Sequence, residues 1–481
     1  MDLQQEKNKR QLLNWYNLAF MAFATVWGFG NAVNGYVYFN GVQVIFSWIL
    51  MFALYFIPYA LMVGELGSTF QDAGGGVSSW IEGTMTAKLA YYAGWTYWVV
   101  HMPYIASKAT GGLKALSWVV FQNSSFYDNM DIRLIQMVTL VVFLFFAWVA
   151  SRGLNPLKTL ATLAGSSMFV MGLLYIVMMI AAPAINPTAH YQTIDWSWNN
   201  LIPKFDLQYL TSLSILVFAV GGCEKISPYV NKMKNPAKEF PRGMIFLAVM
   251  VVFSAIMGTI ALGMMFDVND VNAHFDSYVA NGAYWAFQRL GEYYHLGNTF
   301  VVIYALCNLI GQLSVLVISI DAPLRMLLDS EISREFVPHG LLKKNDKGAY
   351  VNGIWLIVAI VSPLIILPMF GIGNVTAVLR FLTQLNAVCM PLRYLWVFLA
   401  YIALKSQQHR YQSDYQFIKS QGLGKIAGYW CFLVTAACCM LGMFKGSPFE
   451  IGLNILTPIV LVGLGVILPK IAEKQKAANT L

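Results

Sequence analysis

About twelve apolar stretches, each near membrane-spanning length, run along almost the whole chain: 13–37, 42–64, 86–121, 132–151, 156–183, 207–230, 241–266, 298–326, 351–370, 374–403, 426–444 and 449–469. A bilayer core about 30 Å thick needs roughly 20 apolar residues per helix. Composition agrees. Of the 481 residues, 58% are hydrophobic and 11% charged, where a soluble domain carries about 25% charged residues. In water such a chain would leave apolar surface uncovered; lipid removes the problem. The fold class expected is an all-α polytopic membrane protein with about 12 transmembrane helices.

Lys and Arg set the expected orientation, because cytoplasmic loops carry an excess of them. With the N-terminus in the cytoplasm, the inner segments hold Lys232, Lys234, Lys238, Arg242, Lys343, Lys344, Lys347 and others, against Arg133, Lys204, Arg289 and Lys445 outside, a bias of roughly five to one. This predicts a multi-pass protein of the cell membrane with both termini inside. The expected parts are a tail at 1–12, helices 1–5 over 13–183, helices 6–10 over 207–403, helices 11–12 over 426–469 and a second tail at 470–481. Asn272–His295 is long for a loop and reads as a short helix on the outer face. The net charge of +8 forms no basic stripe interleaved with aromatics, so nucleic acid is not an expected partner. The six cysteines lie inside apolar stretches without metal-ligand spacing and read as buried hydrophobes. No metal or cofactor is implied, and the oligomeric state is open.

Two spans are broken by glycine in mid-course: AFATVWGFGN (Ala22–Asn31) and LVFAVGGCEK (Leu216–Lys225). Such pairs are either close-packing points between helices or places where a helix unwinds. Lying in spans 1 and 6, they point to unwinding, because interrupted spans in corresponding halves mark transporter binding sites. Unwinding exposes N–H groups that hold a carboxylate and carbonyls that hold an amine. Thr25, Trp27, Gly28 and Gly30 are expected on the carboxylate side, and Gly221, Gly222 and Glu224 on the amine side, with Glu224 alternatively bracing the unwound segment. Lys225 follows at the next helix position, so the two side chains diverge and should find separate partners.

The stretch LVFAVGGCEKISPYVNKMKNPAKEFP (Leu216–Pro241) resembles the sixth-helix segment of the amino acid–polyamine–organocation permeases, through Gly222, Glu224, Asn235, Pro236 and Pro241. FIPYALMVGELGSTFQDAGGGVSSW (Phe56–Trp80) and DAPLRMLLD (Asp321–Asp329) resemble the glutamate:GABA antiporter branch. The resemblance implies a LeuT-like inverted repeat, spans 1–5 and 6–10, with two C-terminal helices, and alternating access without ATP. It also implies exchange of an amino acid for its decarboxylated amine. The first break reads VWGFGN instead of the usual G-S/T-G, which changes the groups offered to a carboxylate.

Span 3 carries Tyr97, His101, Tyr104 and Lys108 at i, i+4, i+7 and i+11, one helical face. Tyr97 and His101 read either as a cavity wall or as packing. Lys108 lies well inside the span and needs a cavity or a partner. Asn308 in span 8 reads as a cavity group or as interhelical glue, and Arg380 in span 10 as a snorkelling or gating cation. Lys108, Lys225 and Arg380 are the gating or coupling candidates. Glu65, Asp321, Arg325 and Arg393 fall near inner helix ends and read as gate pairs or loop braces. The reading is a secondary transporter of amino acids, an amino acid/amine antiporter, with a small-molecule substrate held between helices 1, 6, 3 and 8. A proton-coupled amino acid or polyamine symporter is the competing reading. A membrane enzyme would need a nucleophile–base set or a metal cluster, and a channel a continuous polar path, and the sequence displays neither.

Overall fold

The computed structural model describes residues 14–71, 76–152, 155–233, 235–328, 335–411 and 413–479, without the side chains of residues 24, 25, 155–166, 228, 229, 231, 232, 322 and 479. The tail at 1–12 and the Thr25 side chain therefore lie outside the described residues. The described chain is helical and has no β-strand. Span 1 is α1 (Trp15–Val26) and α2 (Phe29–Tyr38), span 2 is α3 (Gly41–Thr69), and a short α4 (Val77–Thr84) follows. Span 3 is α5 (Ala87–Val99) and α6 (His101–Phe121), span 4 is α7 (Ile132–Ser151), and span 5 is α8 (Asn155–Ile185). Span 6 is α9 (Leu207–Val220) with a 3-10 turn at Cys223–Lys232, and span 7 is α10 (Pro236–Gly263). The loop beyond it holds α11 (Phe275–Tyr293), the helix expected there, before α12 (Thr299–Leu328) and α13 (Val351–Ile366). Span 10 is α14 (Val375–Cys389) and α15 (Tyr394–Ser406), joined by a 3-10 turn at Met390–Arg393; α16 (Gln421–Gly442) and α17 (Pro448–Leu464) follow, and a last helix covers Ile467–Asn479.

Among the described residues, 10 helices are long and apolar enough to cross a membrane. Two of the twelve expected spans fall outside that count for local reasons. Span 1 is divided into helices of 12 and 10 residues. Span 3 bends at Val100, and its second half carries His101, Lys108 and Lys114. Pro103 explains the bend, because it has no N–H to give the carbonyl of Val99, and its ring crowds that carbonyl. Helix starts follow side-chain caps: Asp131 on α7, Asp206 on α9, Asn374 on α14 and Ser420 on α16. Ser447 and Glu450 form a reciprocal capping box on α17.

Two large apolar clusters make up most of the core, and spans 3 and 8 contribute to both. Spans 1, 2, 6 and 7 share one buried cluster, which holds Phe23, Val33, Tyr59, Leu216 and Leu247. Spans 3, 4, 8 and 9 share another with α14, which holds Ile105, Phe143, Val317 and Ile357. The seam between them is where a polar cavity can open without either core losing its packing.

Candidate substrate cavity

Both glycine breaks are present. At the first, Trp27 and Gly28 are extended between α1 and α2, and no side chain caps the new N-terminus at Gly28. Asn31 N–H donates to the Gly28 carbonyl at 2.9 Å, and the N–H groups of Phe29 and Gly30 lie at the helix start, where no preceding turn supplies an acceptor. At the second, Gly221 is extended and Gly222 has φ +110°, a left-handed conformation that favours glycine. A Cβ on Gly221 would collide with the Tyr394 ring, so glycine is also required there for close approach. One side chain ties the two breaks together: Asn31 Nδ2 donates to the carbonyl of Val26 at 3.3 Å and to that of Ala219 at 3.2 Å.

Between the breaks lies a cavity of about 390 Å³. Trp27, Gly28, Gly30, Asn31 and Gly221 line it from one core, and Tyr104, Lys108, Lys114, Asn308 and Gln312 from the other. Lys225, Asn386, Arg393 and Tyr394 complete the wall. Of the sequence candidates, Trp27, Gly28, Gly30, Gly221, Asn308, Lys108 and Lys225 are therefore brought together. Tyr97, His101, Gly222, Glu224 and Arg380 do not line this cavity.

The electrostatics of the wall are one-sided. Lys108, Lys114, Lys225 and Arg393 line it, and among the described residues no carboxylate does. Lys114 is 2% exposed and bonds Asp128 at 2.5 Å, so it stays buried instead of reaching the outer surface. Lys108 Nζ stands 4.6 Å from the centre of the Tyr104 ring and Lys225 Nζ 6.0 Å from the same centre. Neither has an ion pair or a hydrogen bond among the described residues. Two ammonium groups facing one cavity without a counter-ion favour an anion there strongly, because at 4 Å a unit pair is worth about 4 kcal/mol at an effective dielectric of 20.

Glu224 does not face this cavity, contrary to its expected role as an amine contact. It and Lys225 diverge as their succession requires: Lys225 enters the wall, and Glu224 turns beneath it. There Glu224 accepts a short hydrogen bond from Tyr59 Oη and stands 3.0 Å from Arg393 Nε. The Arg393 guanidinium lies 5.1 Å from the ring centres of both Tyr97 and Tyr394. It also donates to His101 Nε2 at 3.2 Å. A guanidinium can only donate, so Nε2 accepts, and Nδ1–H donates to the Tyr97 carbonyl at 2.7 Å. Tyr97 and His101 thus position Arg393 as the cavity floor. Arg393 itself, expected near an inner helix end, lines the cavity from the 3-10 turn at Met390–Arg393.

Asn308 lines the cavity, and it bridges helices by donating to Tyr284 Oη at 2.7 Å while accepting from Gln312 Nε2 at 2.9 Å. Arg380 is held elsewhere, 2.5 Å from Glu450 and 3.2 Å from Asp276, beside a smaller pocket with Tyr38 and Lys445. Glu65, expected as a gate pair, is buried with Lys405 at 2.5 Å and also receives the Phe417 N–H at 2.9 Å. Asp321 bonds Arg325 at 2.5 Å. Sequence reading missed Asn31 and Asn386. The signal for Asn31 was a polar residue directly after a glycine break; Asn386 recurs on one face with Leu379, Thr383, Met390 and Arg393.

A polytopic helical fold with two broken helices facing a polar cavity defines a membrane transporter. The chain belongs to the amino acid permease family, whose model matches residues 13–467, and so to the superfamily its sixth span resembles. It is 50% identical over 478 residues to the aspartate/glutamate permease AcaP of Lactococcus lactis subsp. cremoris, a match covering 97% of each chain. It is 24% identical to the inner membrane transporter YjeM of Escherichia coli, with 81% of each covered. It is also 23% identical to the probable agmatine/putrescine antiporter AguD of Lactococcus lactis subsp. lactis, with 48% of this chain and 47% of that one covered.

Proposed function

We propose that this permease carries acidic amino acids, aspartate and glutamate, through the cavity between the two breaks. The observation that carries the reading is the wall: Lys108 and Lys225 face the cavity without carboxylate partners among the described residues. A second carboxylate on the substrate supplies the missing counter-charge. The 50% identical aspartate/glutamate permease supports the same substrate class. The first-turn N–H groups at Phe29 and Gly30 suit the α-carboxylate.

The reading continues with alternating access in a repeat of spans 1–5 and 6–10, both termini in the cytoplasm. The glycine breaks in spans 1 and 6, at corresponding places of the two halves, support such a repeat. The transport mode in this reading is exchange, which the antiporter relative supports. A diamine such as that relative's cargo is unsuited to a wall of uncompensated cations. The counter-substrate expected here is the neutral product left when an acidic amino acid loses one carboxylate.

Uptake of labelled aspartate into proteoliposomes tests this. Glutamate should compete, whereas asparagine and putrescine should not; equal competition by all of them refutes the substrate assignment. Vesicles preloaded with glutamate or its decarboxylation product should take up label faster than empty ones. Equal rates refute exchange and leave proton symport. Labelling of Lys343→Cys in intact cells by an impermeant reagent from outside would refute the orientation.

A further inference from the structure

The wall described above explains how two carboxylates are held, but it leaves the substrate's ammonium group without a host. Every charged side chain on the wall is a cation and repels it. The carbonyls freed at the breaks are partly used, since Asn31 already occupies those of Val26 and Ala219. The Asn308 oxygen is used by Gln312. One acceptor stands apart. Asn386 is 3% exposed, lines the cavity, and its Oδ1 has no hydrogen-bond partner among the described residues. A buried amide oxygen left unpaired is an unusual feature of a folded protein and calls for a partner.

Its placement follows from the helix. Leu379, Thr383, Asn386, Met390 and Arg393 fall at i, i+4, i+7, i+11 and i+14 and all line the cavity. This is one face of span 10. Asn386 is therefore delivered to the wall by the same stripe that delivers the floor arginine, two turns away.

We propose that Asn386 is the residue by which this cavity selects amino dicarboxylates over plain dicarboxylates. The proposal rests on the reading of the substrate as an acidic amino acid. The Asn386 amide oxygen accepts a hydrogen bond from the substrate ammonium, while the cations hold the carboxylates. A wall of cations alone would bind succinate as well as aspartate, because both present two carboxylates at similar spacing. A site built to hydrogen-bond a substrate N–H rejects the analogue that lacks it, since its own polar group is then left unpaired.

The test uses purified full-length protein and two probes, L-aspartate and succinate, each measured by competition against labelled aspartate. Wild type should prefer aspartate. Asn386→Leu, close in size and without an acceptor, should weaken aspartate on the order of tenfold and leave succinate within about twofold, so that the preference disappears. Asn386→Asp keeps the acceptor and adds a negative charge; it should keep aspartate binding and weaken succinate. Should the leucine variant aggregate, the aspartate variant carries the test by its change in the succinate to aspartate ratio. A ratio left as in wild type in the variants that fold, or a parallel loss of both probes, overturns the proposal. Wild type that binds no aspartate refutes the acidic amino acid reading itself, and this proposal with it.

Discussion

Arg393 Nε stands 3.0 Å from the Glu224 carboxylate, and the two side chains are 1% and 0% exposed. The pair joins the second helix break to the 3-10 turn of span 10, beneath the cavity. The rings of Tyr59, Tyr97 and Tyr394, with His101, surround the pair. Removing one member of a buried pair leaves the other charge without compensation, which costs about 3–5 kcal/mol.

A double-mutant cycle checks this. Glu224→Gln and Arg393→Gln should each lower the melting temperature in detergent and abolish uptake. The double variant should be more stable than the sum of the two losses predicts. Strict additivity would show that the two side chains do not interact, and a stable Glu224→Gln with normal uptake would remove the floor role.

Lys108→Met and Lys225→Met test the charge of the wall. Each keeps an apolar stem of similar length and deletes an ammonium. Loss of a desolvated charge pair with the substrate is worth about 2–5 kcal/mol. Aspartate should weaken at least about tenfold, while asparagine should be unaffected or bind better. Equal loss of both amino acids would mean that the lysines shape the cavity without reading charge.

The glycines differ in what they tolerate. Gly221→Ala would drive a methyl into the Tyr394 ring, and overpacking of this kind costs about 1–3 kcal/mol. Among the described residues, nothing lies within 4 Å of a Cβ on Gly28. Thermal melts should therefore show Gly221→Ala destabilised and Gly28→Ala close to wild type. The reverse order would contradict the close approach at the second break.

Lys445, in the turn between α16 and α17, gives a pH signature. Burial, with Arg380 as the second cause, lowers its pKa from 10.5 to about 8. In the unfolded chain it stays protonated to higher pH. Between those two values the unfolded state binds more protons than the folded one, so stability rises with pH. Lys445→Met should therefore flatten the rise in melting temperature between pH of about 8 and about 10. Identical slopes in variant and wild type would rule out a buried, titrating Lys445.

The spans, their order and the two breaks were legible in the sequence, because they depend on local chemistry. Length and apolarity define a membrane helix, and a glycine pair in mid-span marks where it unwinds. Lys108 drew attention for the same reason, since an ammonium well inside an apolar span needs a cavity or a partner. The partners were not legible. Glu224 read as an amine contact because an acid beside a break meets whatever lies across the seam, and only the tertiary structure put Arg393 there. Arg393 read as a gate pair or loop brace because it falls near the inner end of its span, and only the tertiary structure put a cavity beside its face of the helix. His101 read equally as wall or packing until Arg393, a donor only, met its ring. Asn31 and Asn386 differ in their partners: one bridges two carbonyls, and the other lines the cavity with an amide oxygen that has no partner among the described residues. Helix and break are written within a few neighbouring residues. The sign and shape of the cavity are decided by side chains hundreds of residues apart, and only packing brings those together.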